Sequence, residues 1–197
     1  MALQRSSTGV PYWPDASAPT EEPPPSDTRR SMLRRVVFFL LLFALMQTLY
    51  GATRGTWLER LIIDQMTVQT AARLIDIVSP AVSVKAVGSR LRAPGGGINV
   101  LNGCEGTDVM FLMACAMLVV PLAWRHRLTG LVIGGFMVFA LNQIRILALF
   151  YAFRSDKALF DLLHGVIAPV LLIMAIAAFF AFWMDRYAAT ASHLPNA

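Results

Sequence analysis

The sequence predicts an all-α membrane protein: a bundle of about four transmembrane helices, with an amphipathic helix and a short hairpin in the first external loop. Two observations carry this. Hydrophobic residues make up 56% of the 197-residue chain and the mean hydropathy is +0.58. An ordinary soluble domain is roughly 45–50% apolar. The excess is also gathered in blocks long enough to cross a bilayer, which a single soluble core would not require.

The first span follows Arg29, Arg30, Arg34 and Arg35 and covers about residues 36–53. It is short, but sufficient with interfacial flanks. The second covers 109–124. The third covers 128–153 and carries Asn142, Gln143 and Arg145 in its later half. The fourth covers 164–183 and opens at His164. Residues 1–30, rich in Pro, Ser and Thr and including Pro23-Pro24-Pro25, read as a disordered cytoplasmic tail. They are not a cleavable signal peptide, because the apolar run begins only after Arg35 and no small-residue cleavage pattern follows it. Residues 31–187 form the membrane domain and 188–197 a short tail.

The segment joining the first two spans is mixed. Over Trp57–Val78, Leu58, Leu61, Ile62, Met66, Ala72 and Ile75 oppose Glu59, Arg60, Asp64, Gln69, Arg73 and Asp76, an amphipathic helix. Residues 81–92 alternate weakly and 99–102 form a second extended candidate. With Ala93-Pro94-Gly95-Gly96-Gly97 between them they predict a small hairpin leading to Cys104.

Orientation follows from the basic residues. The four arginines before the first span, Arg125-His126-Arg127 between the second and third, and Arg186 after the fourth fall on one side of a four-span chain. The positive-inside rule makes that side cytoplasmic. The 51–107 loop, whose own basic residues are interspersed with acidic ones, is then external. Cys104 sits at the outer start of the second span, Arg145 lies in the outer part of the third, and His164 opens the fourth from outside.

These three residue types carry chemistry. Cys104 lies in Gly103-Cys104-Glu105-Gly106-Thr107-Asp108, a turn before a helix that Thr107 or Asp108 can cap. The positive end of the helix dipole favours thiolate, and the flanking glycines expose the thiol and free backbone N–H groups for an oxyanion. The plainer reading is a small buried hydrophobe in a turn. Arg145 is an intramembrane cation, a functional candidate by default, with Asn142 one turn earlier on its face. It can hold a substrate carbonyl, stabilise an oxyanion or keep Cys104 ionised. The plainer reading is snorkelling, or a structural pair with Glu105 or Asp108. His164 is the natural proton carrier near neutral pH, although a lone interfacial histidine is often structural. Glu105 and Asp108 read as capping and orienting groups, and Asp161 can orient the imidazole. Cys115, among Leu112, Met113 and Met117, reads as inert packing; His126 reads as solvated charge, and His193 carries no case for function.

Other classes are excluded. Two cysteines are too few for a disulfide framework or a structural zinc site, and Cys-x-x-Cys is absent. No basic face with interleaved aromatics speaks for nucleic acid, and Gly95-Gly96-Gly97 lacks the Lys-Ser/Thr of a phosphate loop. No cofactor or metal is called for. The competing class is a non-enzymatic membrane assembly or transport protein with Arg145 as an anion or partner site. Four spans without an inverted repeat argue against a transporter.

A Cys in a Gly-flanked turn before a span, Asn142-Gln143-Ile144-Arg145 in the next span and His164 opening the span after it resemble the exosortase/archaeosortase family over about residues 80–185. Many members have Cys-Ser-Gly where this chain has Cys104-Glu105-Gly106. The Asn102-Gly103-Cys104-x-Gly106 form suggests the exosortase H subgroup, and this chain lacks the extra spans of longer members. The resemblance implies a thiol protease or transpeptidase of the bacterial inner membrane. Its substrates would be exported proteins with a C-terminal sorting signal made of a short motif, a transmembrane helix and a basic tail. By position, Cys104 would be the nucleophile, Arg145 the transition-state stabiliser and His164 the general acid/base, with Asn142, Glu105 and Asp108 supporting. Water or an amine would resolve the thioester.

Overall fold

The computed structural model describes residues 25–101 and 103–188. Most of the stretch expected as an N-terminal tail, Asn102, and the end of the chain including His193 lie outside the described residues. Helix α1 (Pro25–Ala52) starts earlier than expected, with Pro25 at its first position, where a missing N–H costs nothing. By its contacts the chain divides after Arg34, and the packing and the site described below belong to the unit that begins at Arg35.

Helices α4 (Thr107–Val119), α5 (Trp124–Ser155), α6 (Lys157–Leu162) and α7 (Ala168–Ala188) follow. A π-helical turn over Leu163–Ile167 joins α6 to α7 without a break. Three helices are long and apolar enough to cross a membrane: Arg29–Ala52, Trp124–Ser155 and Lys157–Tyr187. The chain is thus a multi-pass, all-α membrane protein. The second expected span differs. α4 has 13 residues, about 20 Å at 1.5 Å per residue, against roughly 30 Å of hydrocarbon. It ends where Val120 turns extended ahead of Pro121. α4 is still apolar and sits inside the bundle, with Met113, Cys115 and Met117 buried.

Close approach holds α4, α5 and α7 together. A Cβ on Gly130 would come within 2.7 Å of Trp183 Nε1, and one on Gly134 would collide with Met113 Sδ. These glycines stand four apart on α5, the small-residue spacing that lets membrane helices touch. Residues 125–127, expected as a loop, instead form the first turn of α5. The reason is visible in their bonds: Arg127 Nη2 donates to the Val120 carbonyl at 2.9 Å, and the His126 carbonyl accepts from Trp183 Nε1 at 3.1 Å. The His126 ring stacks on Tyr187 at 4.4 Å rather than standing free in solvent.

The amphipathic segment is helical throughout, as α2 (Trp57–Arg60), a π-helical stretch (Leu61–Gln69) and α3 (Thr70–Val78). Its buried face is Ile63, Thr67, Val68, Ala71, Ala72 and Ile75, while Met66 is half exposed. The buried residues recur at i, i+4, i+5, i+8, i+9 and i+12, one helical stripe, and Met66 falls on the opposite side. In the wider π turn Thr67 Oγ1 donates to the Ile62 carbonyl five residues back. The expected hairpin is a three-stranded antiparallel sheet: β1 (Lys85–Val87), β2 (Arg90–Ala93) and β3 (Gly96–Asn99), in the order β1-β2-β3. Leu91 and Ile98 face inward as a cross-strand pair. They join Ile75, Ile146, Leu149 and Phe150 in one hydrophobic cluster beneath the sheet. Arg154 Nη1 donates to the Pro94 carbonyl at 2.8 Å, which fixes the β2–β3 turn to the end of α5.

Candidate active site

Cys104 lies in the turn between β3 and α4. Gly103 (φ +92°) and Gly106 (φ +86°) both adopt left-handed backbone there, a conformation that side-chain-bearing residues avoid. Gly106 has a second reason to be glycine, since a Cβ would stand 3.1 Å from the Asn142 side chain. Asn142 is 1% exposed. Its Nδ2 donates to the Cys104 carbonyl at 3.1 Å, which ties the turn to the middle of α5.

The helix cap is not the expected one. Gly106 occupies the N-cap position of α4, and no side chain caps the helix. Thr107 Oγ1 donates instead to Glu105 Oε1 at 2.8 Å. Tyr50 Oη from α1 donates to the same oxygen at 2.9 Å, and Gln47 Nε2 donates to Asp108 Oδ1 at 2.9 Å. Both carboxylates therefore fasten α1 to the turn. Glu105 is 6% exposed. Tyr50 and Gln47 were not legible as site residues, because they sit in an apolar run with nothing in their spacing to set them apart.

Cys104 is half-buried and packs against the hydrophobic cluster under the sheet. Burial pushes its thiol above the ordinary range; the positive charge of Arg145 pulls it down, and Glu105 and Asp108 raise it again. The net shift is upward, opposite in direction to the lowering expected from the helix dipole. Desolvation outweighs the one favourable charge. The Cys104 N–H is also already used, donating to the Leu101 carbonyl at 2.9 Å, so it is not open to an oxyanion.

Arg145 is close enough for its charge to act on Cys104. Its Nε is buried and has no hydrogen-bond partner among the described residues. The side chain lines a groove of about 190 Å³ between α5 and the α6–α7 junction, whose other walls are apolar, among them Leu141, Ile144, Leu163 and Leu171. His164 sits in the π-helical turn, two turns into a helix that begins at Lys157 rather than at its mouth. Asp156 caps that helix by accepting from the Ala158 N–H at 2.8 Å. The imidazole is exposed and lies parallel to the Phe160 ring at 5.6 Å. Phe160 and Leu163 pack against the same cluster as Cys104. Arg145 thus adjoins the Cys104 turn and, with Leu163 and Ile167, lines the groove beside the segment that carries His164. Asp161, the expected partner of His164, is exposed. Cys115 is fully buried in α4.

Among the described residues no group of three or more His, Cys, Asp or Glu side chains could hold a metal ion. The family model described as Transmembrane exosortase matches residues 28–183. The comparison with curated proteins and that with solved structures return no match.

Proposed function

The chain belongs to the transmembrane exosortase family, a sorting protein of the membrane, and from that premise we propose that it is a cysteine transpeptidase or protease acting on membrane-anchored proteins with a C-terminal sorting signal. One observation carries the reading: the Arg145 charge reaches a thiol held in a glycine turn that Asn142 pins from the same helix.

The chemistry follows from the parts. Cys104 gives its proton to His164 and its sulfur attacks the scissile carbonyl carbon. The carbonyl oxygen becomes an oxyanion opposite the Arg145 guanidinium, a charge placed where negative charge develops. The C–N bond breaks, the leaving amine takes a proton from His164, and an acyl thioester remains on Cys104. Water or an amine then attacks the thioester and frees the thiol. A bound carbonyl beside Arg145 favours ionisation of the thiol at the moment of attack. Asn142, Glu105 and Asp108 act as positioning residues that fix the turn to α5 and α1.

The arginines at 29–35, 125–127 and 186 support an N-terminus in the cytoplasm and Cys104 on the outer face of a bacterial inner membrane. A membrane-impermeant thiol reagent should label Cys104 in intact cells; labelling only after permeabilisation overturns the orientation. The reaction is tested by trapping the thioester. Co-expressed exported proteins with a C-terminal transmembrane helix should form a hydroxylamine-sensitive adduct on Cys104 and none in C104A. Normal processing in C104A would refute the nucleophile.

A further inference from the structure

The proposed reaction leaves one deeply buried polar side chain without a task. Gln143 is 3% exposed, and neither its Oε1 nor its Nε2 has a hydrogen-bond partner among the described residues. A methionine would fill nearly the same volume without burying an unmatched amide, so a purely structural role gives no reason for glutamine here.

Two observations place Gln143 beside the Cys104 turn. Asn142, the preceding residue, bonds the Cys104 carbonyl. Ile146, one helical turn further on the Gln143 face, belongs to the cluster against which Cys104 packs. Gln143 therefore lies on α5 between Asn142, which bonds the turn, and Ile146, which belongs to the cluster on which Cys104 packs. It has company: Asn142 Oδ1, Glu105 Oε2 and Arg145 Nε are also buried and without hydrogen-bond partners. Donors and acceptors together suit a neutral amide better than an anion, which would face three acceptor oxygens.

A carboxamide carries its donor and acceptor side by side. The N–H and C=O of one residue in an extended chain point to the same side and are spaced to meet such a pair. We propose that Gln143 is a substrate-binding residue whose carboxamide pairs with the backbone N–H and C=O of a single extended residue, the one that precedes the residue bearing the scissile carbonyl. The inference rests on Cys104 as nucleophile and names what the site grips: backbone in extended form, whatever the side chain. It makes Gln143 a setter of register rather than of sequence preference.

The test uses the full-length protein in detergent and two alkylating probes. One is N-acetyl-alanyl-alanine chloromethyl ketone; the other is its analogue with an ester oxygen in place of the N–H of the alanine next to the acetyl group. Rates on Cys104 are read by mass spectrometry. The amide-to-ester rate ratio should fall about fivefold in Q143M, the worth of roughly one hydrogen bond. Alkylation by iodoacetamide should be unchanged, and the melting temperature equal or higher. Gln143→Leu serves if Q143M fails to fold. An unchanged ratio overturns the inference alone. Failure of iodoacetamide and both probes to alkylate Cys104 in the unsubstituted protein overturns the nucleophile, and the inference with it.

Discussion

Asn142 Nδ2 donates to the main-chain carbonyl of Cys104 at 3.1 Å, joining the middle of a membrane-spanning helix to the turn that carries the thiol. The bond is made by a side chain that is almost wholly buried, where losing a partner strands the other group. Asn142→Leu should lower stability by about 1–3 kcal/mol and slow acylation of Cys104 through a loosened turn. Asn142→Asp should do worse, since a carboxylate would face the carbonyl oxygen and add negative charge near a thiol already pushed up. Thermal unfolding and Cys104 alkylation rates check both. Equal behaviour of the two variants would show that only volume matters at this position.

Gly106 tests the same contact from the other side. Its φ of +86° and the 3.1 Å from a hypothetical Cβ to Asn142 are separate penalties. Gly106→Ala should cost roughly 1–3 kcal/mol and lower the Cys104 acylation rate. Gly135, in open space on α5, provides the control: Gly135→Ala should be neutral or slightly stabilising, because alanine is the better helix former. If the two variants melt alike, the turn is not held as described.

Much of this was legible in the sequence, and the failures have physical causes. The apolar blocks and the order of Cys104, Arg145 and His164 were readable because lipid demands long unbroken runs, and an arginine inside one stands out. The inward stripe of the amphipathic segment was readable only in part: Ala72 and Ile75 are buried as expected, but Leu58, Ile62 and Met66 offer a second apolar stripe at the same spacing as Ile63, Thr67 and Ala71, and the pattern does not say which of the two faces inward. The state of the thiol was not readable: the helix dipole can be read from Gly106-Thr107-Asp108, but burial under the sheet cannot, and burial wins. Gln47 and Tyr50 are ordinary residues of an apolar helix until Asp108 and Glu105 are placed against them.

The opposing effects on the thiol give a pH dependence with a definite sign. Burial raises the Cys104 pKa and Arg145 lowers it, so alkylation should climb with pH and half-saturate above the ordinary thiol value. Arg145→Met removes the lowering charge. The profile should then move further up, and the rate at pH 8 should drop about tenfold, the low end for losing a neighbouring opposite charge. The folded chain holds this proton more tightly than the unfolded one, so its contribution to stability is full below the ordinary thiol pKa and is lost as pH rises through the folded value. A profile in Arg145→Met that overlays the original would remove the guanidinium from the neighbourhood of the sulfur.

His164 separates structure from proton transfer because its ring has a packing partner. It stacks parallel to Phe160 at 5.6 Å, a contact that phenylalanine can keep. His164→Phe should therefore leave the melting temperature within a degree or two, since an exposed ring loses no buried hydrogen bond. Iodoacetamide should still alkylate Cys104, because that reaction needs only the thiolate. Acyl transfer from a protein substrate needs a proton for the leaving amine, and removing a general acid costs about 100-fold or more. His164→Gln, which loses the ring and keeps polarity, should show the same loss of transfer. Substrate processing at full rate in both variants would leave His164 a stacking residue and require another proton donor at the site.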